Sequence, residues 1–88
     1  MIKPTIGRVV LFRERPEQQH PMAAMVVYVW GDRMVNLVVH DHNGVSRGVS
    51  SVTLRQPEDP KPSGSYCEWM EYQVKVAGDG REATQTPA

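Results

Sequence analysis

The sequence predicts an all-β chain folded as a small five-stranded SH3-like barrel. Three observations carry that expectation. The apolar runs are rich in β-branched and aromatic residues, which favour strands. Gly, Pro, Asn and Asp separate the runs and supply turn chemistry. One run, 33–40, alternates faces with the period of a half-buried strand. A five-stranded OB-like barrel is the alternative fold, but it calls for a helix that no spacing here places. Either way the sheet edges must be closed or covered to prevent edge-to-edge pairing.

The elements follow in order. "TIGRVVLFR" (5–13) is short and β-branched, and reads as the first strand. "ERPEQQHP" (14–21) is polar and bounded by prolines, so it is a loop. "MAAMVVYVW" (22–30) is apolar on both faces. A short buried helix fits its length, but the Val-Val-Tyr-Val-Trp block favours a second strand. Gly31 and Asp32 interrupt it. In "RMVNLVVH" (33–40), Val35, Leu37 and Val39 share one face. Asn43-Gly44 then predicts a type I′ hairpin turn, and "VSRGVSSVTL" (45–54) returns, with Gly48 as a bulge. "RQPEDPKPSGS" (55–65) reads as a loop. "YCEWMEYQVKV" (66–76) opens with spacing for one helical turn and closes as a strand alternating through Tyr72, Val74 and Val76. The predicted core is Ile6, Val9, Leu11, Met25, Val27, Val29, Val35, Leu37, Val39, Val52 and Val74. The single domain spans 1–76. Residues 77–88 hold no large apolar side chain and read as a disordered tail.

Eighty-eight residues allow one domain. A chain of this size buries only about 60–65% of its unfolded surface, so its core is small. The formal net charge is zero, which argues against a dedicated nucleic-acid binder. Cys67 is the only cysteine, so no intrachain disulfide forms, and a free thiol fits a reducing cytoplasm. No apolar run reaches the ~18 residues of a membrane span.

The chemistry-bearing candidates are few. "HDHNG" (40–44) places two histidines around an aspartate, with His20 upstream. A zinc site wants three or four ligands, and His20 reaches it only if the 14–21 loop folds over. A solvated hairpin tip explains the stretch better, so no metal is expected. Cys67 lies between aromatics without a nucleophile motif and reads as a packed side chain. No serine has a nucleophile-elbow setting. No enzyme and no cofactor are expected.

Several segments together resemble a known group. "KPTIGRVVLF" opens the chain, "AAMVVYVWGD" and "VNLVV" follow, and "SSV" and "CEWM" come later. This is similar to small accessory proteins of tailed bacteriophages and prophages that begin Lys-Pro-Thr-Ile/Val-Gly-Arg. The resemblance covers about residues 3 to 70. It implies a compact SH3-like barrel acting in the host cytoplasm, in a family mostly without assigned function. The family's Trp-Xaa-Trp-Pro ending is absent, since Met70 and Glu71 follow Trp69.

Binding is the function class that remains. Tyr28, Trp30 and Trp69, with Arg33 and Arg47, have the composition of a ligand or partner surface. The leading expectation is a non-catalytic module making protein–protein contacts, with itself, a phage protein or a host protein. One alternative is a sponge for a small nucleotide signal of antiviral defence. Another is a minor virion component.

Overall fold

The computed structural model describes residues 1–78. Five strands, β1 (Val9–Arg13), β2 (Met22–Gly31), β3 (Met34–His40), β4 (Ser46–Arg55) and β5 (Tyr66–Glu68), precede one helix, α1 (Glu71–Gly78). The strands close into a barrel in sequence order. Neighbours pair antiparallel except β4 and β5, which run parallel, and β1 pairs antiparallel with β5 to complete the ring. This is the small all-β, SH3-like barrel the sequence predicts. Consecutive strands lie side by side throughout, unlike the Greek-key order of an OB-type barrel. Of the predicted tail, positions 79–88 lie outside the described residues. Ala77 and Gly78, which the sequence reading places in that tail, belong to α1.

The core is set by β3. Val35, Leu37 and Val39 are buried, as the alternation requires. Pairing then fixes the neighbouring faces. Val26 sits opposite Leu37 and Ala24 opposite Val39. Val10 sits opposite Ala24 and Phe12 opposite Met22. The inward residues are therefore Val10 and Phe12 on β1, and Met22, Ala24 and Val26 on β2. This corrects the expected core at Val9, Met25 and Val27, which are exposed, and at Leu11, which is half-buried. A run that is apolar on both faces has no period-2 signal, so only the partner strand decides which face turns in. Val52 is buried as expected, while Val29 and Val74 pack against the core from its margin.

Ile6 is also corrected. It is 67% exposed because β1 begins later than expected. The Thr5 carbonyl accepts from the Arg8 N–H at 3.2 Å, and Gly7 has φ +97°. That is a type II turn with glycine at its required position.

The hairpin between β3 and β4 keeps its glycine but changes its type. The Gly44 N–H donates to the Asp41 carbonyl and the Asp41 N–H to the Val45 carbonyl, both at 2.9 Å. Gly44 has φ +84°, while Asn43 is not left-handed. This is a three-residue loop, a type I turn ending in a left-handed glycine, rather than the two-residue type I′ turn. Asp41 supplies the difference. Its Oδ1 accepts from the backbone N–H groups of Asn43 and Val45, both at 2.9 Å. The expected bulge at Gly48 lies elsewhere, since Gly48 pairs regularly with Val38.

The last predicted strand, 72–76, is instead helical, and β5 comes from the preceding Tyr66–Glu68. Gln73 explains the helix start. Its Oε1 accepts from the Met70 N–H at 2.7 Å, the backward half of a capping box. Val74 and Ala77, three apart, then lie against the core.

One buried polar group joins these parts. Gln56 is 0% exposed. Its Oε1 accepts from the Ile2 N–H at 2.9 Å and from Trp69 Nε1 at 3.2 Å. Its Nε2 donates to the Ile2 carbonyl at 2.9 Å and to the Asp32 carbonyl at 2.7 Å.

Two stability predictions follow from this geometry. Gln56→Leu strands the Ile2 and Trp69 donors inside the protein. It should cost on the order of 3–5 kcal/mol in urea unfolding; a loss within experimental error would mean the amide is dispensable. Gly44→Val should destabilise by more than about 1 kcal/mol, because a β-branched residue fits positive φ badly. The same melts measure it.

Candidate functional site

Neither β2 nor β3 contains an Asp, Glu, Lys or Arg residue. Their inward faces supply the core. Their outward faces carry Met25, Val27, Tyr28, Trp30 and Met34, all exposed. Val9 of β1 lies directly across from Met25, and Met25 from Val38, so an apolar row crosses three strands. Contiguous exposed apolar surface of this kind marks an interaction site far more often than scattered single residues do.

Two register shifts shape the site. In β2 they fall between Val26 and Tyr28 and between Val29 and Gly31. Val27 and Trp30 are thus the extra residues of two bulges. A bulge re-aims its side chain and twists the strand. Trp30 is 61% exposed at the end of the strand, beside the two-residue turn Asp32–Arg33. Tyr28 meets it edge to face, with ring centroids 4.8 Å apart.

Asn36 fixes this pair in place. Trp30 Nε1 donates to Asn36 Oδ1 at 2.9 Å. The same oxygen accepts from the Ser51 N–H at 2.7 Å. Ser51 has φ +55° and sits at the β3–β4 register shift opposite Asn36. The amide thus satisfies a backbone donor that the bulge removes from the ladder, and it orients the indole. Beside the indole lies a shallow hollow lined by Trp30, Gly31, Arg33, Met34 and Ser51.

The five expected binding residues separate. Tyr28 and Trp30 come together, and Arg33 lies at the adjoining turn. The Arg33 guanidinium is engaged, however. It binds Asp59 in a two-pronged pair at 2.8 and 3.0 Å and Glu58 at 3.1 Å. The hydrogen bond from Arg33 holds the Asp59 carboxyl below its ordinary range, and Asp59 raises Arg33 in turn. Arg47 lies toward the other end of β4, across from Val39, and pairs with Glu14 at 3.4 Å. Trp69 is 5% exposed. It lies under the Arg8 guanidinium, 5.2 Å from the ring centroid. This corrects its assignment to a contact surface, because its indole N–H is bound inside the barrel by Gln56. Met25, Val27, Met34 and Asn36 belong to the site and were missed. The signal was present as the absence of charge over 22–31 and 34–40.

The side chains of His40 and His42 take different partners. His40 Nδ1 lies 2.7 Å from Ser46 Oγ, its cross-strand partner. His42 Nε2 lies 3.4 Å from the Pro21 carbonyl. Among the described residues, no three His, Cys, Asp or Glu side chains group as metal ligands. Asp41 gives its carboxylate to the turn and not to the imidazole of His40.

Compared with known proteins, the chain matches no family model, no curated protein and no solved structure.

Cys67 is fully buried beside Phe12 and Leu54 in the strand register. Burial pushes its thiol up from 9.0 to about 12. The thiol should resist a thiol-specific reagent at pH 8 in the folded protein and react once unfolded. Because the folded value is raised, its stabilising contribution is complete below about pH 9. It is lost as the pH rises toward 12. Stoichiometric labelling of the folded protein at pH 8 would contradict this environment.

Proposed function

We propose that the chain is a non-catalytic binding module that works through protein–protein contact, with the outer face of β2 and β3 around Trp30 as its contact surface. The carrying observation is the exposed, charge-free face on which Asn36 holds the Tyr28–Trp30 pair. Large aromatics fixed in this way lose little freedom on binding, and they dominate contact energetics where they occur. The resemblance of the opening "KPTIGR" motif to phage accessory proteins supports a setting inside an infected bacterial cell. A phage protein, a host protein or another copy of the chain fits that setting. The nucleotide-sponge reading has weaker support, because Arg33 and Arg47 are separate and each is engaged by carboxylates.

Trp30→Ala tests the surface. Asn36 keeps its bond from Ser51 in that variant, so the barrel should still fold, with circular dichroism unchanged. Binding or assembly should weaken by about 2 kcal/mol or more. Outright unfolding would make Trp30 a structural residue. A folded variant with unchanged contacts would place the functional surface elsewhere.

A further inference from the structure

We infer that the occupant of the β2–β3 face is a second copy of the same chain, packed face to face across a two-fold axis. The inference rests on the proposed role of this face as a contact surface and names its partner. Charge gives the first reason. β2 and β3 themselves offer no carboxylate, ammonium or guanidinium, and the one guanidinium at the edge of the hollow, Arg33, is already paired with Asp59 and Glu58. A partner laying its own charges here would bury them unpaired, at a cost of several kcal/mol each. The matching surface must also be apolar and uncharged, and the chain carries one. The formal net charge is zero, so two copies do not repel as whole bodies.

Shape gives the second reason. The Tyr28–Trp30 pair projects beside the hollow lined by Gly31, Arg33, Met34 and Ser51. A knob next to a hollow is self-complementary under a two-fold rotation. The knob of each copy enters the hollow of the other, which is the isologous geometry of most homodimers. Arg33 does not block this, because Asp59 and Glu58 draw its guanidinium.

Area gives the third. The exposed fractions of Val9, Met25, Val27, Tyr28, Trp30 and Met34 amount to roughly 500 Å² of apolar surface, at the upper end for the largest patch on a monomer. With a polar rim, such a patch approaches the ~800 Å² per partner of a standard interface. Two twisted sheet faces stacked in this way form the aligned packing of a β-sandwich.

The test uses the purified full chain over about 1 to 200 µM, by sedimentation velocity and tryptophan fluorescence. Trp69 is already buried, so Trp30 reports contact. A monomer–dimer equilibrium is expected, with emission shifting to the blue as dimer forms. Trp30→Ala and, separately, Met34→Lys should each raise the dimer dissociation constant by roughly thirtyfold or more with circular dichroism unchanged. A wild-type chain that stays monomeric throughout overturns self-association. If Trp30→Ala then still abolishes binding to an identified different protein, the contact-surface reading survives alone. A dimer indifferent to both substitutions overturns self-association through this face, because its interface lies elsewhere.

Discussion

The barrel depends on one buried amide. A glutamine side chain offers two N–H donors and an oxygen with two lone pairs. Gln56 uses all four, on the Ile2 backbone, the Asp32 carbonyl and the Trp69 indole. These partners belong to the N-terminal segment, the β2–β3 turn and the residue just after β5. Three parts far apart in sequence therefore meet at one group with no spare hydrogen-bonding capacity. Each bond contributes only about 1 kcal/mol net, yet an orphaned partner would cost more than the bond is worth. The arrangement is therefore close to all-or-none.

The same junction reaches the outer surface. The Gln56 N–H donates to Asp59 Oδ2 at 3.1 Å, and Asp59 in turn holds Arg33. The Leu54 N–H donates to the Arg33 carbonyl at 3.0 Å. The β2–β3 turn is thus pinned at Asp32 and Arg33, immediately after the bulge that projects Trp30. The Arg33 ion pairs are exposed and worth little individually. Their effect is to commit the guanidinium to its own loop, leaving the neighbouring aromatic face uncharged. An arginine that sequence composition suggests for a phosphate or a partner is held by the carboxylates of its own loop.

Legibility from sequence followed how far each signal depended on tertiary context. β3 was readable because Val35, Leu37 and Val39 alternate with Asn36, Val38 and His40, and the first four strands and the barrel class followed from the spacing of runs and turns. Gly44 was readable because positive φ has a residue preference. The faces of β1 and β2 were not, since Val9, Val10, Met25 and Val26 are equally apolar and only the β3 register distinguishes them. Helix α1 was hidden because Tyr72, Val74 and Val76 imitate a strand, and the decisive bond from Met70 to Gln73 is a side-chain event. Gln56 was invisible within a proline-rich loop. Of the candidate site, Tyr28 and Trp30 were found. Trp69 and Arg47 were selected by residue type alone, and residue type does not separate a core tryptophan from a surface one.

The ambiguity of β2 also bears on what the face is for. A strand that serves only a small barrel needs one apolar side, and solvent normally selects polar residues for the other. β2 keeps Met25, Val27, Tyr28 and Trp30 outward, and β3 adds Met34. None of these belongs to the buried core. Asn36 is the one polar residue among them engaged by the indole, and its oxygen is divided between Trp30 and the left-handed Ser51. A core polar group can be explained by the fold. An exposed tryptophan held by a surface amide beside a backbone bulge is explained better by contact, because holding a ring before binding removes ordering entropy from the binding step. The feature that made the strand hard to orient from sequence is thus the feature on which the proposed contact surface rests.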